Sequence, residues 1–426
     1  MKVSRIEIKD FQQFKDFQVD LTYPKGHEKA GEPLDKVCFI GQSGTGKTTL
    51  LELIKQALIF DEIGFFDDKI YDGEIFIYGI VNNKHQFYRR LIHDGTDFIP
   101  LNSLDFFEHW FDKGKRTLIY LSYNIDSQEK PSITFVDKNE DNPNEHYYRI
   151  DKTSIDKTWK EVNDKIIKYQ NGEANFRLKE LKRYEKEDFD LRESLDNWSQ
   201  LNPNPLEDIG KNCLNKILNQ LFLKVKTDID SVKELNSIQI EKLDGTKTID
   251  YEQLSTGTRQ FIFTALPLYL LETKDAIILI DEPETSLYPD IQRQIVPTYS
   301  DLAPEAQFFY ATHSPVILSS FEPWEIIVLE FDKEGFVQPK KMYKGERHVD
   351  NYMANPRYLR WDDILTTYLG LDEEGSEERI EMRHELAILG NKLKHLNGGN
   401  DELKQQLWKE YSAKAKQLGW GTIHEK

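Results

Sequence analysis

Cysteine, long apolar runs and an excess of positive charge are what this sequence lacks. Its 426 residues include only Cys38 and Cys213, too few for a disulfide framework and typical of a reducing compartment. No apolar stretch approaches the ~20 residues that a membrane-spanning helix needs. Met1 leads directly into an alternating apolar pattern, without the regions that mark a signal peptide. We therefore expect a cytoplasmic protein with no membrane partner.

Acidic residues outnumber basic residues by 74 to 56, which gives a formal net charge of −18. This balance argues against a broad nucleic-acid-binding face, because neutralising phosphates requires clustered lysine and arginine. Short basic clusters do occur, at residues 113–116, 179–186 and 340–341. We expect each to be a solvated surface and keep contact with DNA as the less favoured alternative.

Hydrophobic periodicity predicts strands in the first third of the chain. Alternating residues favour hairpins over 3–21, 74–92 and 133–150, and short apolar runs favour buried strands at 37–40 and 117–122. Residues 48–60 carry apolar side chains at helical spacing. Between 151 and 222 the pattern is charged and helical, which predicts two short helices followed by a helix over 206–222.

The second half alternates strands with one helix and then becomes helical. Strands are predicted at 223–226, 238–240, 248–251, 276–280, 308–310 and 326–329, the last of them ending the strand-rich region. Helices are predicted over 259–271, 361–369, 380–396 and 401–418. The composition thus predicts four parts: 1–150, a helical insertion at 151–222, a second lobe at 223–349, and a helical tail at 350–426.

A phosphate-binding loop follows the predicted strand at 37–40. Its sequence fits the pattern G-x-x-x-x-G-K-[ST] in full and opens the helix at 48–60, which is the context this motif requires. Its glycines let backbone N–H groups turn inward around phosphates, and the helix N-terminus adds positive potential. In such loops the lysine reaches the β- and γ-phosphates and the hydroxyl ligates Mg²⁺. The candidate nucleotide-binding residues are Gly41, Gln42, Ser43, Gly44, Thr45, Gly46, Lys47, Thr48 and Thr49.

Two acids end the apolar strand at 276–280. Asp281 lies at the strand tip, where its carboxylate can hold Mg²⁺ together with Thr48. Glu282 is placed to act as general base on an attacking water. These residues predict a reaction, the Mg²⁺-dependent hydrolysis of ATP, with Lys47 and Glu282 in catalytic roles.

Two further segments gain meaning only beside these motifs. Leu254-Ser255-Thr256-Gly257 places a hydroxyl and a glycine before the helix at 259–271, where Ser255 alone reads as an ordinary N-cap. His313 follows the strand at 308–310, a place where a single histidine is usually structural.

Together these motifs resemble those of SMC/RecF/OLD-type ABC ATPases. The resemblance lies in Ile6-Glu7-Ile8-Lys9-Asp10-Phe11, the phosphate loop, Leu254 to Gly257, and Asp281 to Pro289, and it covers residues 1–150 and about 223–332. It implies an α/β fold: a two-lobed ABC-type P-loop ATPase head, here with a short helical insertion and a helical C-terminal tail. Such heads close head-to-tail over two ATP molecules, so a homodimer or higher oligomer is expected.

The resemblance also implies roles for residues that the pattern alone leaves open. Ser255 and Gly257 would meet the γ-phosphate bound by a second subunit. His313 would contact the γ-phosphate of its own site and help to hold the attacking water. A glutamine between the first two motifs would sense Mg²⁺, and Gln128 is the candidate for this metal-site role.

Compact members of this class include the ATPase subunits of the Septu and PARIS anti-phage systems, whose short insertions and C-terminal helices this chain resembles. OLD-family nucleases add a nuclease domain after the last ATPase strand. Here Glu330 and Asp332 stand isolated, so we expect no nuclease in this chain. Two functions stay open: control of a separate effector such as a nuclease in anti-phage defence, and RecF- or SMC-like action on DNA. A transporter ATPase is a third, less favoured reading.

Overall fold

The computed structural model describes residues 2–58, 74–81, 85–92, 116–122, 133–135, 145–150, 155–184, 190–227, 239–249, 253–271, 273–371, 376–395, 401–418 and 420. The chain forms two compact units, Met1–Ile364 and Leu365–Lys426. The fourfold division expected from composition stays a prediction.

A parallel sheet dominates the first unit. Its six parallel strands are β3 (Lys36–Gly41), β6 (Arg116–Ser122), β8 (Glu145–Ile150), β12 (Ile277–Asp281), β13 (Gln307–Ala311) and β14 (Ile326–Phe331). Antiparallel strands β7 (Ile133–Phe135) and β15 (Val337–Pro339) flank them, so that the described strands run in the order β15-β14-β3-β13-β12-β6-β8-β7. Because β3, β12 and β13 are neighbours, their carboxyl ends lie at one edge of the sheet, where ligands bind in open α/β sheets.

Two antiparallel sheets accompany the parallel one in the described part of the chain. The first has the order β2-β1-β4-β5 and contains β1 (Lys2–Lys9), β2 (Phe17–Asp20), β4 (Glu74–Val81) and β5 (His85–Ile92). The second has the order β11-β10-β9 and contains β9 (Leu223–Val225), β10 (Ile240–Lys242) and β11 (Thr248–Ile249). The predicted hairpins over 3–21, 74–92 and 133–150 are confirmed by antiparallel pairing.

The helices of the first unit separate these strands. They are α1 (Lys47–Leu58), α2 (Ile155–Tyr184), α3 (Leu191–Leu201), α4 (Pro205–Ile209), α5 (Asn215–Leu218), α6 (Thr256–Leu270), α7 (Pro289–Leu302), α8 (Pro315–Leu318) and α9 (Trp361–Thr367), the last of which crosses the boundary between the units. A π-helical segment, Gly210–Leu214, joins α4 to α5, and a 3₁₀ turn, Asn219–Leu221, follows. The predicted helix at 206–222 is therefore present in interrupted form.

A shared core holds β1, β2, β3, α1 and the strands beside them. Its fully enclosed members include large side chains from each layer: Ile6, Phe14, Phe17, Phe39, Leu51, Ile54 and Phe309. Gln307, with no exposed surface, lies at the start of β13 and joins three segments of backbone. Its side chain accepts a hydrogen bond from Val3 N at 2.6 Å and donates to Val3 O and Leu34 O, both at 2.8 Å. This amide fixes the antiparallel sheet to the parallel sheet.

Three further elements differ from the sequence-based predictions. The insertion was expected to begin with two short helices, yet its first helix, α2, is 30 residues long. The strand at 326–329 was expected to be the last, yet β15 pairs with β14 beyond it. No helix was predicted over residues 289–302, yet they form α7. Pro289 occupies the first turn, where its missing N–H costs nothing, while Pro297 lies inside the helix. Tertiary packing of Ile291, Ile295 and Tyr299, all buried, overrides this second proline.

The second unit is a pair of helices, α10 (Glu377–His395) and α11 (Asp401–Gln417). Leu386, Leu389 and Ala415 are buried, and an ion pair joins Lys414 to Glu385 at 2.5 Å. Both helices agree with the sequence-based prediction. Among the described residues, no helix is both long enough and apolar enough to cross a membrane.

Candidate functional site

The phosphate loop connects β3 to α1 as a sharp turn. Gly44 and Gly46 adopt φ values of +85° and +79°, a left-handed region that favours glycine. A Cβ on Gly46 would lie 2.6 Å from Phe14 Cζ and would also collide with Gln13. Gln42, Ser43 and Gly44 are exposed, so the outer part of the loop is open to a ligand. Thr45 is buried and closes the turn by donating its hydroxyl to Gln42 O at 2.8 Å.

Lys47 is the buried cation of this loop. Its ammonium group donates to Gly41 O at 3.1 Å and to Gln42 O at 3.0 Å, and the residue is only 6% exposed. Burial lowers its pKa to about 8, while the nearby carboxylates of Glu282, Asp281 and Glu284 act in the opposite direction. The positive charge of Lys47 is therefore poorly solvated, and an anion such as a phosphate would stabilise it.

The structure joins the phosphate loop to the acid-ended strand. Thr48 Oγ1 donates to Asp281 Oδ1 at 3.1 Å, although the two residues lie 233 positions apart in the chain. Burial raises the pKa of Asp281 to about 6, with a further contribution from Glu282, and the Thr48 hydrogen bond opposes this rise. A hydroxyl and a carboxylate in contact at this edge are the oxygen ligands that Mg²⁺ prefers.

Glu282 leaves β12 with an unusual backbone. Its φ is +49°, a conformation that is uncommon for a residue other than glycine and is concentrated at functional sites. Its N–H donates to Ala311 O at 2.8 Å, which ties the residue to the end of β13. The side chain is partly exposed, as a general base that must reach water has to be.

His313 lies on the loop that follows β13. Burial lowers its pKa, the positive charge of Lys47 lowers it further, and the negative charge of Glu282 opposes both effects. These couplings place the imidazole within electrostatic reach of the phosphate-loop cation and the acid at the end of β12. Lys47, Thr48, Asp281, Glu282 and His313 therefore meet at one edge of the sheet.

Glu284 was not singled out in the sequence, yet it anchors the His313 loop. Its two carboxylate oxygens accept from Thr312 Oγ1 and from His313 N, both at 2.7 Å. Gln292 on α7 adds a second connection by accepting from Ser314 Oγ at 2.7 Å and donating to Leu287 O at 2.9 Å. The signal for Glu284 is its position, since it is the next acid after Asp281 and Glu282. Nothing in the local pattern around Gln292 could have found it.

Ser255 caps α6, as the simpler sequence reading expected. Its hydroxyl accepts from Thr258 N at 3.1 Å, and the residue is exposed. Gly257 is buried in the first turn, where a Cβ would lie 2.9 Å from Leu287 Cδ2 and would collide with Ser286 O. This close approach alone explains the need for glycine. Any role of Ser255 and Gly257 toward a phosphate stays a prediction, as do the roles of the other site residues.

Gln128, the candidate metal-sensing glutamine, lies outside the described residues. In the part of the chain that the structure describes, no group of three or more His, Cys, Asp or Glu side chains is arranged to hold a metal ion. The pair formed by Thr48 and Asp281 has a hydroxyl as one of its members, so the metal fit there depends on phosphate oxygens and water to complete the coordination.

Comparison with curated proteins finds the Septu protein PtuA of Bacillus thuringiensis, which is 27% identical over 107 residues. The match covers 25% of this chain and 25% of that protein, so the chain spans about a quarter of its relative's length.

Among solved structures, the SMC head domain from Thermotoga maritima shares 12% identity, with 80% of this chain and 98% of that one covered and a TM-score of 0.39. An Smc head domain with an extended coiled coil, bound to the C-terminal domain of ScpA and derived from Pyrococcus furiosus, shares 15% identity. That match covers 80% of this chain and 96% of the solved chain, also with a TM-score of 0.39.

The family model described as an AAA ATPase domain matches residues 1–318, about three quarters of the 426 residues. The match includes the phosphate loop, the acid-ended strand and the His313 loop. This chain belongs to the AAA ATPase domain family.

Proposed function

We propose that this protein is a Mg²⁺-dependent ATP hydrolase whose sites are completed by a second copy of the chain, and that its nucleotide state controls a separate effector in anti-phage defence. The observation that carries the first part is the hydrogen bond between Thr48 Oγ1 and Asp281 Oδ1, with Lys47, Glu282 and His313 at the same edge. This grouping is what phosphoryl transfer to water requires.

The residues present fit a bound Mg²⁺ and ATP. Gly44 and Gly46 adopt the left-handed φ values that a phosphate-binding nest of backbone N–H groups uses. The buried ammonium of Lys47 lacks an anionic partner within hydrogen-bond distance among its described contacts. Thr48 and Asp281 would hold the metal. When bound, Mg²⁺ neutralises charge that develops on the phosphate oxygens.

The side chains have the protonation states that this reaction needs at neutral pH. With a pKa of about 8, Lys47 is mainly cationic at pH 7 and stabilises phosphate charge. With a pKa of about 6, Asp281 is mainly ionised. Glu282 takes the proton of the attacking water on its carboxylate. His313, whose lowered pKa leaves the imidazole mainly neutral, holds that water with a ring nitrogen.

Completion by a second copy is supported by the exposure of Ser255. Its side chain lies at the N-terminus of the 15-residue helix α6, where backbone N–H groups and the helix dipole favour an anion. We place the γ-phosphate bound by a second chain at this end. Gly257 keeps the first turn of α6 close to Ser286. We propose that the second chain contacts this segment.

Substitutions at Lys47 and Glu282 test the hydrolase. Lys47→Ala should abolish ATP binding in calorimetry, and Glu282→Gln should keep binding while turnover falls by ~10²–10⁴-fold. Glu330→Gln is the matched control, because Glu330 lies near the end of β14, the strand that pairs with β3, and forms an ion pair with Lys340 at the surface. Near-normal phosphate release by Glu282→Gln would show that Glu282 is not the general base.

Mixing variants tests the shared sites. Chains with Lys47→Ala and chains with Ser255→Arg should each be inactive alone. A mixed dimer keeps one intact site, made by Lys47 of the second chain and Ser255 of the first. If activity does not return after subunit exchange has been verified, the sites are not shared between two chains.

The effector role is supported by the short match to a Septu protein. The purified chain should then leave DNA and RNA uncut and should co-purify with the product of a neighbouring gene.

The alternative, direct action on DNA, is favoured by exposed cations on α2: Arg177, Lys179, Lys182 and Arg183. It predicts ATP hydrolysis that DNA stimulates, with a stimulation that falls steeply between 50 and 200 mM salt, roughly as expected for phosphate contacts. Salt-independent hydrolysis without a response to DNA would exclude it.

A further inference from the structure

One partly buried carboxylate connects the two halves of the proposed reaction centre. Glu284 lies two residues after Glu282, and its side chain reaches the loop that carries His313. One oxygen accepts from Thr312 Oγ1 and the other from His313 N, each at 2.7 Å. The carboxylate therefore holds both the residue before the imidazole and the backbone of the imidazole-bearing residue itself.

A further hydrogen bond joins the same two segments. Glu282 N donates to Ala311 O at 2.8 Å, so the segment from Glu282 to Glu284 is bonded to the loop at Ala311, Thr312 and His313. Three hydrogen bonds between residues 282–284 and residues 311–313 leave little freedom between the two segments. As a result, the position of the imidazole relative to the Glu282 carboxylate depends on Glu284.

Burial makes this arrangement rigid and costly to remove. Burial raises the pKa of Glu284, and the two hydrogen bonds that it accepts oppose the rise. Hydrogen bonds to a carboxylate are among the strong ones, and a buried donor that loses its acceptor carries an uncompensated desolvation cost. Thr312 has no exposed surface, so its hydroxyl would have no water to turn to.

We propose that Glu284 is a positioning residue that fixes His313 against Glu282 for the attack of water on ATP. This role rests on the proposed hydrolase function. Glu284 itself touches no substrate and takes no proton. It acts because a misplacement of about 1 Å at a reacting group can slow a reaction by about 100-fold.

The test compares two substitutions of different chemistry. Glu284→Ala removes both acceptors, and we expect its kcat to fall by ~10–100-fold while the dissociation constant for ATP changes by less than about threefold. Glu284→Gln keeps the shape. Its amide oxygen can still accept from His313 N, and its amide nitrogen can donate to Thr312 Oγ1, although the Thr312 hydroxyl hydrogen then loses its acceptor. Because the bond that holds the backbone of His313 remains, kcat should return to within about fivefold of the wild type.

Glu325→Ala serves as the matched control. Glu325 is a glutamate at 4% exposure that, like Glu284, accepts a backbone N–H, here from Glu322 at 2.8 Å, and it pairs with Lys36 at 3.4 Å. It lies at the opposite end of β14 from the phosphate loop, so its loss should lower thermal stability while kcat per folded chain stays unchanged. If Glu284→Ala fails to fold, Thr312→Val replaces it, with an expected smaller fall in kcat because the His313 bond remains.

The outcomes separate the two proposals. A wild-type chain that binds but never hydrolyses ATP overturns the hydrolase function and the positioning role with it. Active wild type with an unchanged kcat in Glu284→Ala, or in Thr312→Val, overturns the positioning role alone. Equal loss in the Ala and Gln variants also overturns it, because a role that depends on hydrogen bonding must distinguish them. A fall in kcat with steady ATP affinity, rescued by Gln and absent in the control, supports it.

Discussion

Replacing Gln307 by leucine tests the connection between the two sheets. The side chain makes three hydrogen bonds to Val3 and Leu34 in a place with no exposed surface. Leucine fills a similar volume but leaves one N–H and two carbonyls without their partner. At about 1–2 kcal/mol for each such group the loss is about 3–6 kcal/mol, and the greater hydrophobicity of leucine offsets about 1–2 kcal/mol of it. We expect a net loss of about 2–4 kcal/mol in the free energy of unfolding.

Urea unfolding followed by circular dichroism would measure this loss. Gln338→Leu is the control, because Gln338 makes a single 3.5 Å bond to Lys15 O near the surface, and its replacement should change stability by less than about 0.5 kcal/mol. Gln307→Glu adds a second test. It directs a carboxylate oxygen at two carbonyls, so its penalty should be large at pH 7 and shrink as the pH falls and the carboxyl becomes a donor. A loss below about 1 kcal/mol for Gln307→Leu would refute the inference that the Gln307 side chain connects the two sheets.

Three further changes have defined outcomes. Gly46→Ala forces a Cβ onto Gln13 at a left-handed φ of +79°, so calorimetry should show ATP affinity reduced by at least about tenfold, and unchanged affinity would contradict this. Gly257→Ala should lower stability by about 1–3 kcal/mol without nucleotide, because its Cβ collides with Ser286 O; an unchanged melting temperature would show that the segment yields freely. Burial disfavours the charge of Asp35, but hydrogen bonds from two lysines outweigh it and lower the pKa from 3.8 to about 2. That stabilisation is complete above about pH 5 and lost as the pH falls toward 2, so Asp35→Asn should cost about 1 kcal/mol at pH 7 after allowance for solvent screening, and almost nothing near pH 2.

Local chemistry explains why some of the site was readable in the sequence. A phosphate loop needs glycines, a lysine and a hydroxyl within eight consecutive positions, so Gly41 to Thr48 could be recognised without any fold. The acid-ended strand was readable for the same reason, because five apolar residues and two acids are contiguous. The paired strands at 74–81 and 85–92 were predicted with their observed bounds, since period-2 alternation and a three-residue connection specify a hairpin.

Elements whose local signals conflict were missed. No helix was predicted over α7, which contains Pro289 and Pro297, yet its buried face packs as a helix. The strand β15 is three residues long, and it becomes a strand because β14 supplies the partner for its backbone. Short edge strands carry too little periodicity to be seen without that partner.

The sequence by itself determined which groups are available for chemistry: a phosphate loop, two acids after a strand, a capped helix and a histidine after a second strand. Only the tertiary structure decided which of these groups meet. Thr48 reaches Asp281 across 233 positions because β3 and β12 both pair with β13, which brings their carboxyl ends to one edge. Glu284 reaches His313 because β12 and β13 are in register, with Asp281 opposite Ala311. Sheet register joins residues that are distant in the chain, and no local pattern records it.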